Sequence, residues 1–116
     1  MTRLDTPKES DLKSTIYQYL TVCESMGKLW FERLNSGELL VLNKDQSKRL
    51  VKLCREGTSD FIVVAFGRPI FIECKKIGGK QSESQKEFQQ KVESVGAIYW
   101  LVDNFEQFLN LMQEVK

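Results

Sequence analysis

Two short apolar runs lie almost back to back in this chain, Asp60 to Phe66 (Asp-Phe-Ile-Val-Val-Ala-Phe) and Ile70 to Lys76 (Ile-Phe-Ile-Glu-Cys-Lys-Lys), with Gly67-Arg68-Pro69 between them. Short runs rich in β-branched and aromatic side chains suit a pleated sheet better than a helix. The Gly-Arg-Pro break permits only a tight connection, so the runs are expected to be the antiparallel strands of one hairpin. A hairpin has both open ends on one edge of its sheet, which lets Asp60 approach Glu73. Residues two apart on a strand share a face, so Glu73 and Lys75 point the same way and Cys74 joins the core on the other side.

The remaining pattern arranges itself around that hairpin. Leu12, Ile16, Tyr19, Leu20 and Cys23 recur at the helical period, predicting a helix from about Glu9 to Met26 that stops at Gly27. Leu29 to Leu34 and Leu39 to Leu42 read as strands, separated by the turn signal Asn35-Ser36-Gly37. After a second turn at Asn43 to Gln46, Arg49 to Cys54 is expected to return as a strand, with a short helix as the alternative. Ser82 with Gln85 three residues on forms a capping box for a polar helix reaching about Val95, its inner side Phe88, Val92 and Val95. Gly96 ends it, Ala97 to Val102 reads as a buried strand, and Asn104 caps a last helix bearing Phe105, Phe108, Leu109 and Met112. The predicted order is α, a β-rich middle, α, β, α around one sheet. Trp30, Phe31 and Trp100 are expected in the core, as are the cysteines Cys23, Cys54 and Cys74.

The 116 residues, 41% hydrophobic, fit one domain spanning 1–116, with about two-thirds of the unfolded surface buried on folding. No apolar run approaches the length of a membrane span, and Met1 to Leu12 is too polar for a signal peptide. Three cysteines without metal-type spacing suit a reducing cytoplasm. The chain has no histidine. That excludes Ser-His-Asp and Cys-His catalysis and histidine-bound zinc or haem, leaving carboxylates, lysines, hydroxyls, cysteines or a carboxylate-held cation. The charges, 17 basic against 16 acidic, are segregated. Residues 44–56 and 68–86 each hold five basic and two acidic side chains, whereas 87–116 holds two and five. A basic middle suits a polyanion, and equally a solvated mixed-charge surface.

The chemistry-bearing constellation is Gly57-Thr58-Ser59-Asp60, twelve residues, then Glu73-Cys74-Lys75. Two carboxylates beside an ammonium at the mouth of an apolar hairpin suit a hard divalent cation such as Mg²⁺, which takes oxygen ligands and keeps several waters. The lysine is suited to orienting or deprotonating a water on that cation, or to neutralising charge on a phosphate. The plain alternative is an exposed ion pair between Glu73 and Lys75 or Lys76.

Asp60…Glu73-Cys74-Lys75 resembles the signature of the PD-(D/E)XK nuclease superfamily. The surrounding pieces resemble its virus-type replication-repair nuclease branch, the VRR-NUC domain: Glu9, Arg33-Leu34-Asn35-Ser36-Gly37, Gly57-Thr58-Ser59-Asp60, Phe71-Ile72-Glu73-Cys74-Lys75, Ser82-Glu83-Ser84-Gln85 and Gly96-Ala97. They stand in the family's order and cover nearly the whole chain. Ser59 departs from the proline that often precedes the aspartate in the wider superfamily, a position expected to shape only the turn.

The resemblance implies an α/β, restriction-endonuclease-like core with a mixed central sheet flanked by helices. It implies a Mg²⁺- or Mn²⁺-dependent endonuclease hydrolysing DNA phosphodiesters to 3′-hydroxyl and 5′-phosphate ends. Asp60, Glu73 and the Cys74 backbone carbonyl would hold the metal, Lys75 would position the attacking water, and Glu9 and Gln85 would complete the site. Glu9 is equally an ordinary first-turn acid, and Gln85 has its capping role. Lys76 and Lys80, beside the open Gly78-Gly79 backbone, are expected to contact phosphate, as are Lys48 and Arg49 of the first basic segment. Arg33 is suited to phosphate or to a neighbouring carboxylate. Small members of the family resemble homodimers that cut branched DNA such as Holliday junctions, in the cytoplasm and encoded by bacteria or phages. A dimer would find apolar material in Leu111, off the buried face of the last helix, or in the hairpin from Leu39 to Cys54. The rival readings are a non-catalytic nucleic-acid-binding module and a protein-interaction module.

Overall fold

A computed structural model describes residues 8–115; Met1 to Pro7 and Lys116, parts of the expected domain, lie outside the described residues. In chain order the elements are α1 (Glu9–Ser25), β1 (Trp30–Arg33), β2 (Glu38–Leu42), β3 (Lys48–Lys52), β4 (Phe61–Ala65), β5 (Arg68–Cys74), α2 (Glu83–Ser94), β6 (Ile98–Val102) and α3 (Phe105–Glu114). Four strands form a mixed sheet in the order β1-β4-β5-β6, antiparallel except that β6 runs parallel to β5. The fold is thus α/β, with a mixed sheet flanked by helices.

Strand alternation sorts the sheet into two faces. Phe31, Phe61, Val63, Ile70, Ile72, Cys74, Trp100 and Val102 are buried in one core with Leu12, Ile16 and Leu20 of α1 and Phe108 of α3. The opposite face presents Phe71 and Tyr99 to α2, whose Phe88 packs edge-on to Phe71 at 5.2 Å and tilted to Tyr99 at 6.2 Å. Helix α2 is a polar helix held by that aromatic contact and by its cap. Ser82 Oγ accepts from the Gln85 backbone N–H (3.2 Å), and the Ser82 backbone N–H donates to Gln85 Oε1 (2.9 Å).

The structure corrects several expectations. The β segments do not form one sheet. The ladder from β1 to β4 ends where the Leu34 N–H donates to the Asp60 carbonyl, and Asn35 and Gly37 bond instead with Leu53 and Cys54. Strands β2 and β3 therefore make a separate two-stranded sheet, which packs against no other described helix or strand. The turn of the β4–β5 hairpin is Phe66-Gly67 alone, both with positive φ (56° and 73°), as a two-residue turn matching strand twist requires. Arg68 and Pro69 belong to β5, Pro69 opposite Val64. Pairing with β6 begins only at Ile70, so the missing proline N–H leaves no ladder partner on that side unpaired.

Val95 is 84% exposed rather than inward. The helix closes with Gly96 in the left-handed region (φ 97°), the Gly96 N–H donating to Glu93 O and the Ala97 N–H to Val92 O. This Schellman closure swings Val95 outward. Trp30 is 48% exposed, because alternation on β1 gives the core position to Phe31. Cys54, at the foot of the β2–β3 hairpin, is only half-buried. Leu111 is not free for an interface, since it packs against the core beside Leu109 and Met112.

Candidate metal centre

The register of the β4–β5 hairpin, Phe61 opposite Ile72, sets Asp60 across from Glu73 at the open end. Three constraints hold Asp60. Ser59 before it is buried, and its hydroxyl donates to the Phe61 carbonyl (3.0 Å), closing the turn. The Asp60 carbonyl accepts from Leu34 of β1. Its carboxylate Oδ2 accepts from the Cys74 backbone N–H at 2.7 Å. Gly57 supplies a further constraint. It has φ 88°, and a Cβ there would lie 2.3 Å from the Ser84 carbonyl oxygen. Only glycine lets the loop before Asp60 lie so close to the start of α2, the helix that carries Gln85.

Glu73 is 3% exposed and is one of only two buried polar side chains among the described residues. The plain alternative, an exposed ion pair with Lys75 or Lys76, does not occur. Instead Gln85 Nε2 donates to Glu73 Oε1 at 3.1 Å while Gln85 Oε1 completes the helix cap, so one amide serves both roles. Glu73 Oε2 is buried without a hydrogen-bond partner. An unpaired carboxylate oxygen in such surroundings is costly. Burial first, then the Asp60 charge and more weakly that of Glu9, push the Glu73 carboxyl up to about 8 against the opposing pull of Lys75 and Lys13. Burial, reinforced by Asp60 and Glu73, likewise pushes the neighbouring Cys74 thiol up, so it is an inert core group rather than a nucleophile.

Glu9, the first residue of α1, joins this pair. One carboxylate oxygen from each of Glu9, Asp60 and Glu73 lies within 4.8 Å of the others. The donor set is all oxygen, drawn from α1, the loop before β4 and the end of β5, and one of its members, Glu73, has an oxygen with no protein partner. Those features fit a hard divalent cation.

One member of the cluster escaped the sequence reading. Lys13 Nζ lies 3.1 Å from Asp60 Oδ1. Burial draws its pKa down, but the Asp60 charge and hydrogen bond, with Glu9 and Glu73, outweigh that and raise it. The available signal was its i+4 spacing from Glu9 on α1, which stacks the two on one helix face. Lys75 is half-buried, makes no ion pair among the described residues, and acts on Glu73 through its charge.

The other predicted contacts lie further out. Lys76 and Lys80 are exposed on the loop between β5 and α2. Arg33 is exposed at the end of β1, opposite Phe61 and so one residue from Asp60 in register. Lys48 and Arg49 belong to the separate β2–β3 hairpin, where Arg49 Nε donates to Asn43 Oδ1 (3.0 Å), and strand pairing does not bring them to the carboxylates. No protein-family model and no curated protein matches the chain. No helix among the described residues is long and apolar enough to cross a membrane.

Proposed function

We propose that this chain is a divalent-cation-dependent DNA endonuclease of the VRR-NUC type, with a restriction-endonuclease-like core. What carries the reading is that Glu73, whose Oε2 is buried without a partner, belongs to a cluster in which one carboxylate oxygen each of Glu9, Asp60 and Glu73 lies within 4.8 Å of the others. Asp60, Glu73 and Glu9, with the Cys74 carbonyl, would hold Mg²⁺ or Mn²⁺. When bound, such a cation supplies Lewis acidity toward a phosphoryl oxygen and makes water a better nucleophile at neutral pH. Gln85 fixes the Glu73 carboxylate, Lys75 positions the attacking water, and the Asp60 backbone contacts keep the ligand oxygens from turning away. Exposed Arg33, Lys76 and Lys80 would contact the phosphate backbone, with Lys48 and Arg49 extending the footprint along the hairpin.

Branched DNA is the substrate we favour, cut by a homodimer. The β2–β3 hairpin exposes Leu39, Leu40, Leu42 and Leu50 and packs on nothing else in the described chain. An isolated two-stranded hairpin is marginal in water, and apolar side chains in such a cluster favour a covering partner. A second copy supplies that cover and pairs two active sites about a two-fold axis, the symmetry of a four-way junction.

The test is a cleavage panel of single-stranded, flap, duplex and four-way-junction DNA with Mg²⁺ and with Mn²⁺. The wild-type protein is expected to cut branched DNA, and Glu73→Ala is expected to be inactive yet folded, since it removes an acid whose charge is costly without a cation. Full cation-dependent cleavage by Glu73→Ala would overturn the assignment. DNA binding that is salt-sensitive but never leads to cleavage would favour a binding module instead.

A further inference from the structure

We infer that Lys13 is the built-in counter-ion of the cation site, holding Asp60 in the metal-free protein and being driven off when a divalent cation takes the same oxygen. The inference rests on the cation reading above and concerns how this chain sets its affinity for the ion. Asp60 has two carboxylate oxygens. Oδ2 is committed to the Cys74 backbone N–H at 2.7 Å, a bond that locks the loop to the end of β5. Oδ1, the oxygen the Cys74 N–H does not hold, is the freer one to offer a cation, and Lys13 Nζ lies 3.1 Å from it. The pair is mostly shielded from water, the Lys13 and Asp60 side chains being 26% and 16% exposed.

Lys13 and a divalent cation cannot share that oxygen without cost. A full positive charge about 4 Å from a divalent one is repelled strongly where water is scarce. Glu73 Oε2, buried and without a partner, would be drawn to the incoming ion at the same time. Loading therefore exchanges one cation for another at Asp60 Oδ1 and adds Glu73, which Lys13 leaves unpaired. Lys13 stands one helical turn after Glu9, so its stem keeps the released ammonium near the mouth of the site. The consequence is a site whose three carboxylates are tolerable without metal, at the expense of weaker metal binding.

The test titrates Mn²⁺ by calorimetry into the full-length wild-type chain, Lys13→Met and Lys13→Arg, and compares their melting temperatures without metal. Lys13→Met, which keeps the length and loses the charge, is expected to bind Mn²⁺ about fivefold more tightly. Its metal-free form is expected to melt below the wild type, with the gap closing at saturating Mn²⁺. Lys13→Arg is expected to bind like the wild type. In the wild type itself, Mg²⁺ is expected to move the Lys13 side-chain ¹⁵Nζ resonance, a readout that needs no variant. Unchanged or weaker Mn²⁺ binding by Lys13→Met, equal tightening by Lys13→Arg, or a Lys13 resonance indifferent to saturating Mg²⁺ would each overturn the counter-ion role while leaving the cation site standing. Absence of Mn²⁺ binding by every protein would remove the cation site itself, and the counter-ion role with it.

Discussion

Glu73 is an acid placed where its charge is unwelcome without help. Its carboxyl titrates near 8 in the folded chain against an ordinary 4.5, chiefly because it is buried and secondarily because Asp60 is close. Between those values the folded protein keeps a proton that the unfolded chain has released. Its stability is therefore fully present below about 4.5 and is lost as pH rises toward 8. The metal-free protein is expected to lose stability across that window by up to about 1.4 kcal/mol per pH unit. Urea unfolding in chelator at a series of pH values checks this. Glu73→Gln is expected to flatten the slope, and an equally steep decline in that variant would assign the loss elsewhere.

Lys75 provides the second residue-scale prediction. It acts on Glu73 by charge without pairing to it, which suits a group kept free for the reacting centre. Lys75→Ala is expected to abolish cleavage while DNA affinity falls only modestly and the salt dependence of binding changes by about one unit. Fluorescence anisotropy across salt concentrations, beside a cleavage assay, separates the two effects. Parallel loss of binding and cleavage would make Lys75 a backbone anchor.

The scale of elements explains why these side chains meet. Asp60, just before β4, and Glu73, in β5, lie at the open end of one hairpin, so their proximity follows from a two-residue turn and a fixed register. Gln85 arrives on a different element, and the link is Gly57, whose loop presses on the Ser84 carbonyl at the start of α2. A methyl at Gly57 must either displace that helix start or move the Asp60 loop, and it also meets a positive φ that L-residues adopt poorly. Gly57→Ala is expected to cost at least about 2 kcal/mol in urea unfolding. It should also weaken Mn²⁺ binding, because Asp60 and Gln85 lose their common reference. A variant as stable as the wild type would show that the loop and helix are free to separate.

At the scale of the whole molecule, the chain divides into a helix-covered four-stranded sheet and a hairpin standing off it. The sheet buries the apolar residues of its core face; the hairpin leaves four leucines in solvent. Leu40 and Leu50 face each other across the β2–β3 ladder, on the same side as Leu42. Replacing both by Glu is expected to convert a dimer to a 13.5 kDa monomer in light scattering at low micromolar concentration, with unfolding of the sheet core little changed. A wild-type chain that is already a monomer of that mass would remove the dimer, and with it the argument for paired cuts.

Much of this was legible in the residues alone. Helical periodicity marked α1 and α3, and short β-branched and aromatic runs bounded by turn signals marked the strands, with a short helix left open for β3. The capping box at Ser82 and Gln85 and the stops at Gly27 and Gly96 were legible because they are local backbone chemistry. The hairpin carried Asp60 to Glu73, since a short loop leaves the chain no other pairing. Three things were decided only by the tertiary structure. The detachment of β2–β3 depends on where the β1 ladder ends and on Asn35 and Gly37 bonding to residues 53 and 54, a choice between competing partners that no local pattern records. The exposure of Trp30 depends on which side of an edge strand faces the core. The pairing of Lys13 with Asp60 depends on how α1 is set across the sheet: the i+4 spacing puts Lys13 on the face of Glu9, but no local pattern brings that face to a residue 47 positions along the chain. Local structure follows from bonds between neighbours, which the sequence carries directly; the order of approach of distant charges follows from packing, which the chain expresses only once it has folded.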